Sequence, residues 1–287
     1  MLITSKANPK IKQMRRLFNR RHRERTGLFF AEGLQLVEEA AEMGAEFSML
    51  VVAPELLDEE RTGRAVSIRE RTEAPSLEVS AEVLNSVSPQ DGHQGIAAVV
   101  GQRWKRLEEV ELTADSCWVA VERIRHPGSI GTILRVCDAV GGEGVVLIGE
   151  CSDPYDPTAV RASLGAIFSQ AVVKASVEEF VRWREGPAGA GFVVGTSPSA
   201  ATEYWEVSYA SSTVVLMGSD RAGLSADLQR TCDAVVSIPM AGRCDSHHVA
   251  VAAGIVLYEV FKQRRAGKKG QQAGGRPSAV DDRGRRG

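Results

Sequence analysis

The stretch from Val214 to Arg265, VVLMGSDRAGLSADLQRTCDAVVSIPMAGRCDSHHVAVAAGIVLYEVFKQRR, constrains the fold more than any other part of the chain. It reads as strand, glycine turn, short helix, strand, glycine loop and long helix. In the closing helix Val249, Ala252, Ala253, Val256, Leu257 and Val260 recur at helical spacing. Lys262, Arg264 and Arg265 crowd its last turn before Gly267. Both turns follow an apolar strand, which is where open α/β sheets place their ligand crevices. Two glycine-bearing loops held side by side by buried elements predict a rigid pocket for a small ligand.

The chain upstream repeats this alternation. CWVAVERI (117–124), VVLIG (145–149) and FVVGT (192–196) read as buried strands. HPGSIGTILRVCDAVGG and TAVRASLGAIF read as helices between them, with DPYDP (153–157) a rigid loop. Strands separated by helices predict a parallel sheet covered on both faces. A smaller α/β unit precedes it. There FFAEGLQLVEEAAEMG gives a strand end and a helix with Leu34, Val37 and Ala41 on one face and Gly44 as its stop. FSMLVVA (47–53) and GIAAVVG (95–101) read as strands, and SAEVLNSVS (80–88) as a helix capped by Ser80. This divides the chain into a small domain over 1–101, a charged linker over 102–116 and the main domain over 117–265. Residues 266–287, rich in Gly, Gln and Arg, read as a disordered basic tail.

A formal net charge of −2 hides a strong asymmetry. Between Met1 and Arg25 nine Lys and Arg residues face a single acid, Glu24. Ile11, Met14, Leu17 and Phe18 interleave with them at helical spacing, so one face packs and the other presents Lys10, Lys12, Arg15, Arg16, Arg20 and Arg21. Such a face attracts a polyanion, by steering that salt weakens. No apolar run nears the roughly 20 residues needed to cross a bilayer. The polar, basic first 25 residues read as no secretory signal, so a cytoplasmic protein is expected. The five cysteines include no C-x-x-C pair and no metal-like cluster; Cys137 and Cys232 fall in helical patterns and should be buried and reduced.

No Walker loop, G-x-S-x-G elbow or HExxH is present, and GAGFVVG (189–195) runs into a strand instead of out of one. Nucleoside-triphosphatase, dinucleotide, serine-hydrolase and zinc-protease readings therefore lack support. Three loops at one sheet edge carry the chemistry instead. In the first, Pro127-Gly128 turns the chain and Ser129 is placed to cap the helix carrying Arg135, whose guanidinium suits a phosphate. In the second, GSDRAGLS (218–225) sets backbone N–H groups and Asp220 at a strand end. The third, GRCDSHH (242–248), brings His247 and His248 to the start of the closing helix. Taken singly, each is as readily an ordinary cap, turn or surface residue.

In their order, HPGSIGTILRVCDAVGG, VLMGSDRAGLSADLQRTCDAVVSIPM and SHHVAVAAGIVLYE resemble the SpoU (TrmH-type) family of RNA ribose 2′-O-methyltransferases, of the SPOUT class. The resemblance covers Cys117 to Arg265. FAEGLQLVEEA and HQGIAAVV in the first hundred residues resemble the family's small α/β RNA-binding domain. The family implies S-adenosylmethionine as methyl donor, a ribose 2′-hydroxyl of ribosomal or transfer RNA as acceptor, and a homodimer. It also implies a C-terminal trefoil knot, against the general rule that chains do not thread their own loops. By motif position Thr196, Met217, Gly218, Ile238, Pro239, Met240 and His247 would bind the cofactor, and Arg135, Ser129, Asp220 and His248 would serve catalysis.

The chain departs from the family pattern where Ser129 and His248 stand for Asn, Asp220 for Glu and Ala250 for Ser. His248 in such a place can donate a hydrogen bond or act as a base near neutral pH. These changes fit a specialised member, such as a resistance methyltransferase acting on large-subunit ribosomal RNA. Three other readings stay open: a catalytically silent RNA-binding protein, a methyltransferase for transfer RNA, and a small-molecule transferase using the same cofactor.

Overall fold

The computed structural model describes residues 2–87, 94–209, 212–219 and 223–274, with backbone alone over 268–274. The first part of the chain forms α1 (Pro9–Arg16), α2 (Arg20–Thr26), β1 (Leu28–Glu32), α3 (Leu34–Glu42), β2 (Phe47–Val52), α4 (Glu59–Thr72), β3 (Ser76–Glu78), α5 (Ala81–Val87) and β4 (Ile96–Gly101). The second begins with β5 (Cys117–Glu122), α6 (Pro127–Ala139), β6 (Gly144–Ile148), α7 (Pro157–Ser163), α8 (Ala166–Ser169), β7 (Ala171–Ala175) and α9 (Val177–Glu185). It closes with β8 (Phe192–Thr196), β9 (Thr202–Glu203), β10 (Thr213–Met217), α10 (Ala226–Arg230), β11 (Ala234–Ser237) and α11 (Val249–Gly274).

Among the described residues the strands make two sheets, a mixed one ordered β1-β4-β2-β3 and a parallel one ordered β7-β6-β5-β10-β8-β11-β9. In the parallel sheet β5, β6 and β10 are buried along their whole length, the mark of strands covered on both faces. Val119, Val121, Val145, Leu147 and Val215 pack with α6 and α11, while the alternating Trp118, Ala120, Val146, Val214 and Leu216 pack with Phe180 and Trp183 of α9 and Leu228 of α10. The expected parallel α/β sheet flanked by helices is present. All strands of this sheet run the same way, so the loops after β5, β10 and β11 share its carboxyl edge. No helix among the described residues is long and apolar enough to cross a membrane.

The two sheets are joined by one continuous core. Phe29 of β1 lies 4.8 Å from the ring of Tyr155 and 5.9 Å from that of Phe168, centroid to centroid. Arg23 of α2, 1% exposed, donates to Asp153 at 2.8 Å, Asp156 at 3.2 Å and the Leu17 carbonyl at 2.8 Å. The segment 102–116 is packed down: Leu107 and Val110 are buried, Lys105 N–H donates to the Val172 carbonyl, and Trp183 donates its indole N–H to the Val110 carbonyl.

Several local expectations change. Helix α6 starts at Pro127 with His126 in the N-cap position, so Ser129 lies inside the first turn and does not cap it. TAVRASLGAIF breaks into α7 and α8, because Leu164 and Gly165 take φ of 48° and 101° where α3 crosses. A Cβ on Gly165 would lie 2.6 Å from Glu39 Cγ. The closing helix runs on to Gly274, past the expected start of a disordered tail at 266; residues 275–287 lie outside those described. The five cysteines are unpaired, and Cys232 is half-buried instead of buried. Burial pushes the thiols of Cys117 and Cys232 up to about 11.

Candidate active site

A cleft opens at the carboxyl edge between the ends of β8, β10 and β11 and the start of α11. It encloses about 690 Å³, its open mouth included, which is room for a ligand of nucleoside size. Of the residues expected at the cofactor, Thr196, Met217, Gly218, Ile238, Met240 and His247 line it; Pro239 is exposed and lies outside the lining. Ser197, Ser219, Ser246, Val236 and Val249 are among the other wall residues, and motif position alone does not single them out. Each of the three serines directly adjoins a motif position, at Thr196, Gly218 or His247, and that adjacency is the signal that marks them.

Gly218 explains why one wall is bare backbone. Just after β10, Ser219 and Gly223 pair with each other in an antiparallel bridge. A Cβ on Gly218 would stand 2.2 Å from the Gly223 carbonyl carbon. Only glycine fits. The result is an apolar slot of Met217, Val236, Ile238 and Val249 edged by the hydroxyls of Thr196, Ser197, Ser219 and Ser246. An adenosine-bearing cofactor needs this pairing of flat apolar walls with a few polar groups. The residues fit S-adenosylmethionine.

Two of the candidate catalytic residues meet across the fold. Ser129 of α6, 3% exposed, has its hydroxyl 3.0 Å from His248 Nε2, just ahead of α11. The Ala250 N–H donates to His248 Nδ1 at 3.3 Å. An acceptor at Nδ1 places the ring proton on Nε2, so His248 donates to Ser129 and the serine keeps its own hydrogen to donate elsewhere. This pair ties the first turn of α6 to the loop that carries His247 into the cleft wall.

Arg135 lies on the same helix, exposed, and its guanidinium makes no hydrogen bond or ion pair among the described residues. At 100° per residue it lies about 120° around α6 from Ser129, on the outer face of the helix. Asp220 lies outside the described residues.

The basic face divides in two. Lys10, Lys12, Arg16 and Arg21 are exposed and unpaired among the described residues. Arg15 is tied inward, donating to the Ser86 carbonyl at 2.9 Å, to the Ser86 hydroxyl and to the Lys6 carbonyl, so it fastens α1 to α5. Arg20 pairs with Glu24 at 2.9 Å and reaches the Cys151 carbonyl at 3.3 Å. His22 sits between Arg16 and Arg25; burial first, then these two cations, hold its imidazole below the usual range.

Fold and cleft together define a parallel α/β domain with a nucleoside-sized cleft at its carboxyl edge and a second, smaller α/β unit ahead of it in the chain. Residues 116–258 match the SpoU rRNA Methylase family, and residues 8–98 match the MRM3-like substrate binding domain. The 23S rRNA (uridine(2479)-2′-O)-methyltransferase of Streptomyces viridochromogenes is 33% identical over 280 residues, 93% of each chain. The structure of an AdoMet-bound rRNA methyltransferase from Sinorhizobium meliloti superposes with a TM-score of 0.83 at 33% identity, covering 91% of this chain and 97% of that one. The SpoU methyltransferase AviRb from Streptomyces viridochromogenes, in complex with AdoMet, gives 0.82 at 30% identity, covering 90% and 99%. The chain belongs to the SpoU rRNA methylase family.

Proposed function

We propose that this protein transfers a methyl group from S-adenosylmethionine to a ribose 2′-hydroxyl of large-subunit ribosomal RNA in the cytoplasm. The observation that carries this reading is the Ser129–His248 hydrogen bond, which fastens the helix bearing Arg135 to the loop walling the Gly218 cleft. Cofactor slot and phosphate-seeking arginine are thereby held on one rigid frame. The 23S rRNA specificity named for the Streptomyces viridochromogenes relative supports the choice of RNA.

When bound, S-adenosylmethionine supplies a methyl group already activated by its sulfonium charge. The chain's own work is placement. Thr196, Met217, Gly218, Ile238, Met240 and His247 hold the cofactor, largely by backbone and apolar contact. Arg135 clamps the phosphate beside the target ribose and orients its hydroxyl, which accounts for much of the rate by proximity. His248 positions Ser129 instead of accepting the hydroxyl proton, and the free Ser129 hydrogen is directed to substrate or cofactor. Lys10, Lys12, Arg16 and Arg21 hold RNA on the 1–101 unit, with 117–265 as the catalytic unit.

Two structural readings accompany this. The loop before β10 is laced to α11: Tyr209 N–H donates to Gln263, and Gln263 donates to the Val207 carbonyl, at 3.0 Å each. This lacing supports a trefoil knot in which the last helix passes through that loop. Helix α11 also leaves Val251 and Tyr258 about half exposed at a spacing of seven, one apolar stripe for a second copy of the chain.

Arg135→Ala should lower methyl transfer to 23S ribosomal RNA by roughly 10²-fold or more while calorimetric titration with S-adenosylmethionine stays unchanged. Unchanged turnover would remove Arg135 from its role. No heat on titrating the wild-type protein would favour the silent RNA-binding reading. Mapping ribose methylation across ribosomal RNA with and without the protein identifies the target.

A further inference from the structure

A second cleft opens at the same carboxyl edge, on the other side of β5. It lies between α2, the ends of β6 and β7, and the turn from β5 to α6, with a volume of about 1260 Å³ including its mouth. Arg20, Arg125 and Lys174 line it from three separate elements, facing Glu150 and Glu179. The two lining carboxylates differ: one is held in a helix cap and the other is open. Glu179 accepts from the Ser176 N–H at 2.6 Å in the capping box of α9, and Glu24, just outside, is bonded to Arg20. Glu150 is exposed.

Arg125 and Lys174, by contrast, make no ion pair among the described residues. Lys174 rests over the Trp104 ring at 3.9 Å, which orders its ammonium without neutralising it. The Arg125 backbone is held firmly: its carbonyl accepts from the Ser152 hydroxyl, and Ser152 N–H donates to the Ile124 carbonyl at 2.7 Å. A rigid backbone thus presents a free guanidinium four residues ahead of Ser129. From the cofactor cleft at β10 to this one at β6 and β7 is two to three strands, roughly 10–15 Å at the usual spacing. Arg20 is followed in α2 by Arg21, and α1 just ahead ends at Arg16.

From this placement we infer that the cleft of Arg20, Arg125 and Lys174 binds the phosphodiester backbone of the substrate RNA a few nucleotides from the methylated ribose. It links the catalytic edge to the basic face of α1 and α2. The inference rests on the RNA methyltransferase reading and extends it to two residues that the basic N-terminal run does not contain.

The test uses the full chain and in vitro-transcribed 23S ribosomal RNA, with binding measured from about 50 to about 200 mM salt. Arg125→Gln and Lys174→Gln should each weaken RNA binding by about three- to tenfold and lower the salt slope by about 0.7 for every phosphate left without its cation. Arg125→Lys and Lys174→Arg should restore the slope, and Glu150→Gln should tighten binding. Affinity for S-adenosylmethionine, measured by calorimetry, should not move in any of them. Wild-type affinity and slope in both glutamine variants would overturn the cleft while leaving the RNA reading intact. Failure of the wild-type protein to bind the RNA would overturn that reading, and the cleft with it.

Discussion

At the scale of the residue, identical side chains acquire different tasks from their surroundings. Nine cations precede residue 26, yet Arg23 is sealed in an ion network, Arg15 fastens two helices, and Arg16 and Arg21 stay free. Composition makes the run basic; it cannot say which guanidinium meets a carbonyl from 71 residues away. The same holds for Ser129, whose turn signal points to a cap, while a histidine 119 positions on makes it a strut between helices. Gly218 is legible from its motif, and its reason is steric. Gly218→Ala places a methyl against the Gly223 backbone, and overpacking of this kind costs about 1–3 kcal/mol. Cofactor affinity should fall by about tenfold or more in calorimetry. Unaltered affinity would mean that the close approach of Gly218 and Gly223 yields freely.

At the scale of the element, periodicity locates most strands and the two long helices, because those segments bury a continuous face. It misjudges TAVRASLGAIF, whose helical pattern is interrupted by α3 crossing at Gly165, a contact made by residue 39. It passes over β7 and α9, although Ser176 and Glu179 spell a capping box; the five-residue AVVKA is too short and too interrupted by Lys174 to stand out. Helix α2 is anchored by chemistry, not pattern. Arg23→Met would strand the Asp153 and Asp156 carboxylates beside a buried apolar chain. Stability should drop by about 3 kcal/mol or more, against about 0.5 kcal/mol or less for the exposed Arg21→Met. Equal denaturation midpoints for the two variants would show that the network does not hold the units together.

At the scale of the whole molecule, the sheet order decides where chemistry can occur. Strand β10 inserts between β5 and β8, which brings the first and second motifs to adjacent strand ends. On the outer face of α11 Val251 and Tyr258 stay about half exposed, although Tyr258 meets the ring of Phe261 on the same helix at 6.1 Å. Under the proposed dimer, the wild-type chain should show a dimer's mass in light scattering and Val251→Glu a monomer's, without a change in the helical circular dichroism signal. A variant that keeps the wild-type mass would show that this stripe is not the interface.

The sequence by itself determined the parallel α/β class, the three loops at one edge and most of the cofactor wall. The class and the loops depend on local periodicity and on glycine within a few residues of each strand end, and the wall residues follow from the resemblance of the motifs to the family. Tertiary structure alone decided that Ser129 and His248 meet, that Arg15 and Arg23 turn inward, and that Arg20, Arg125 and Lys174 share a cleft. Each is a contact between residues far apart in the chain, and no local preference encodes which distant partners folding will bring together.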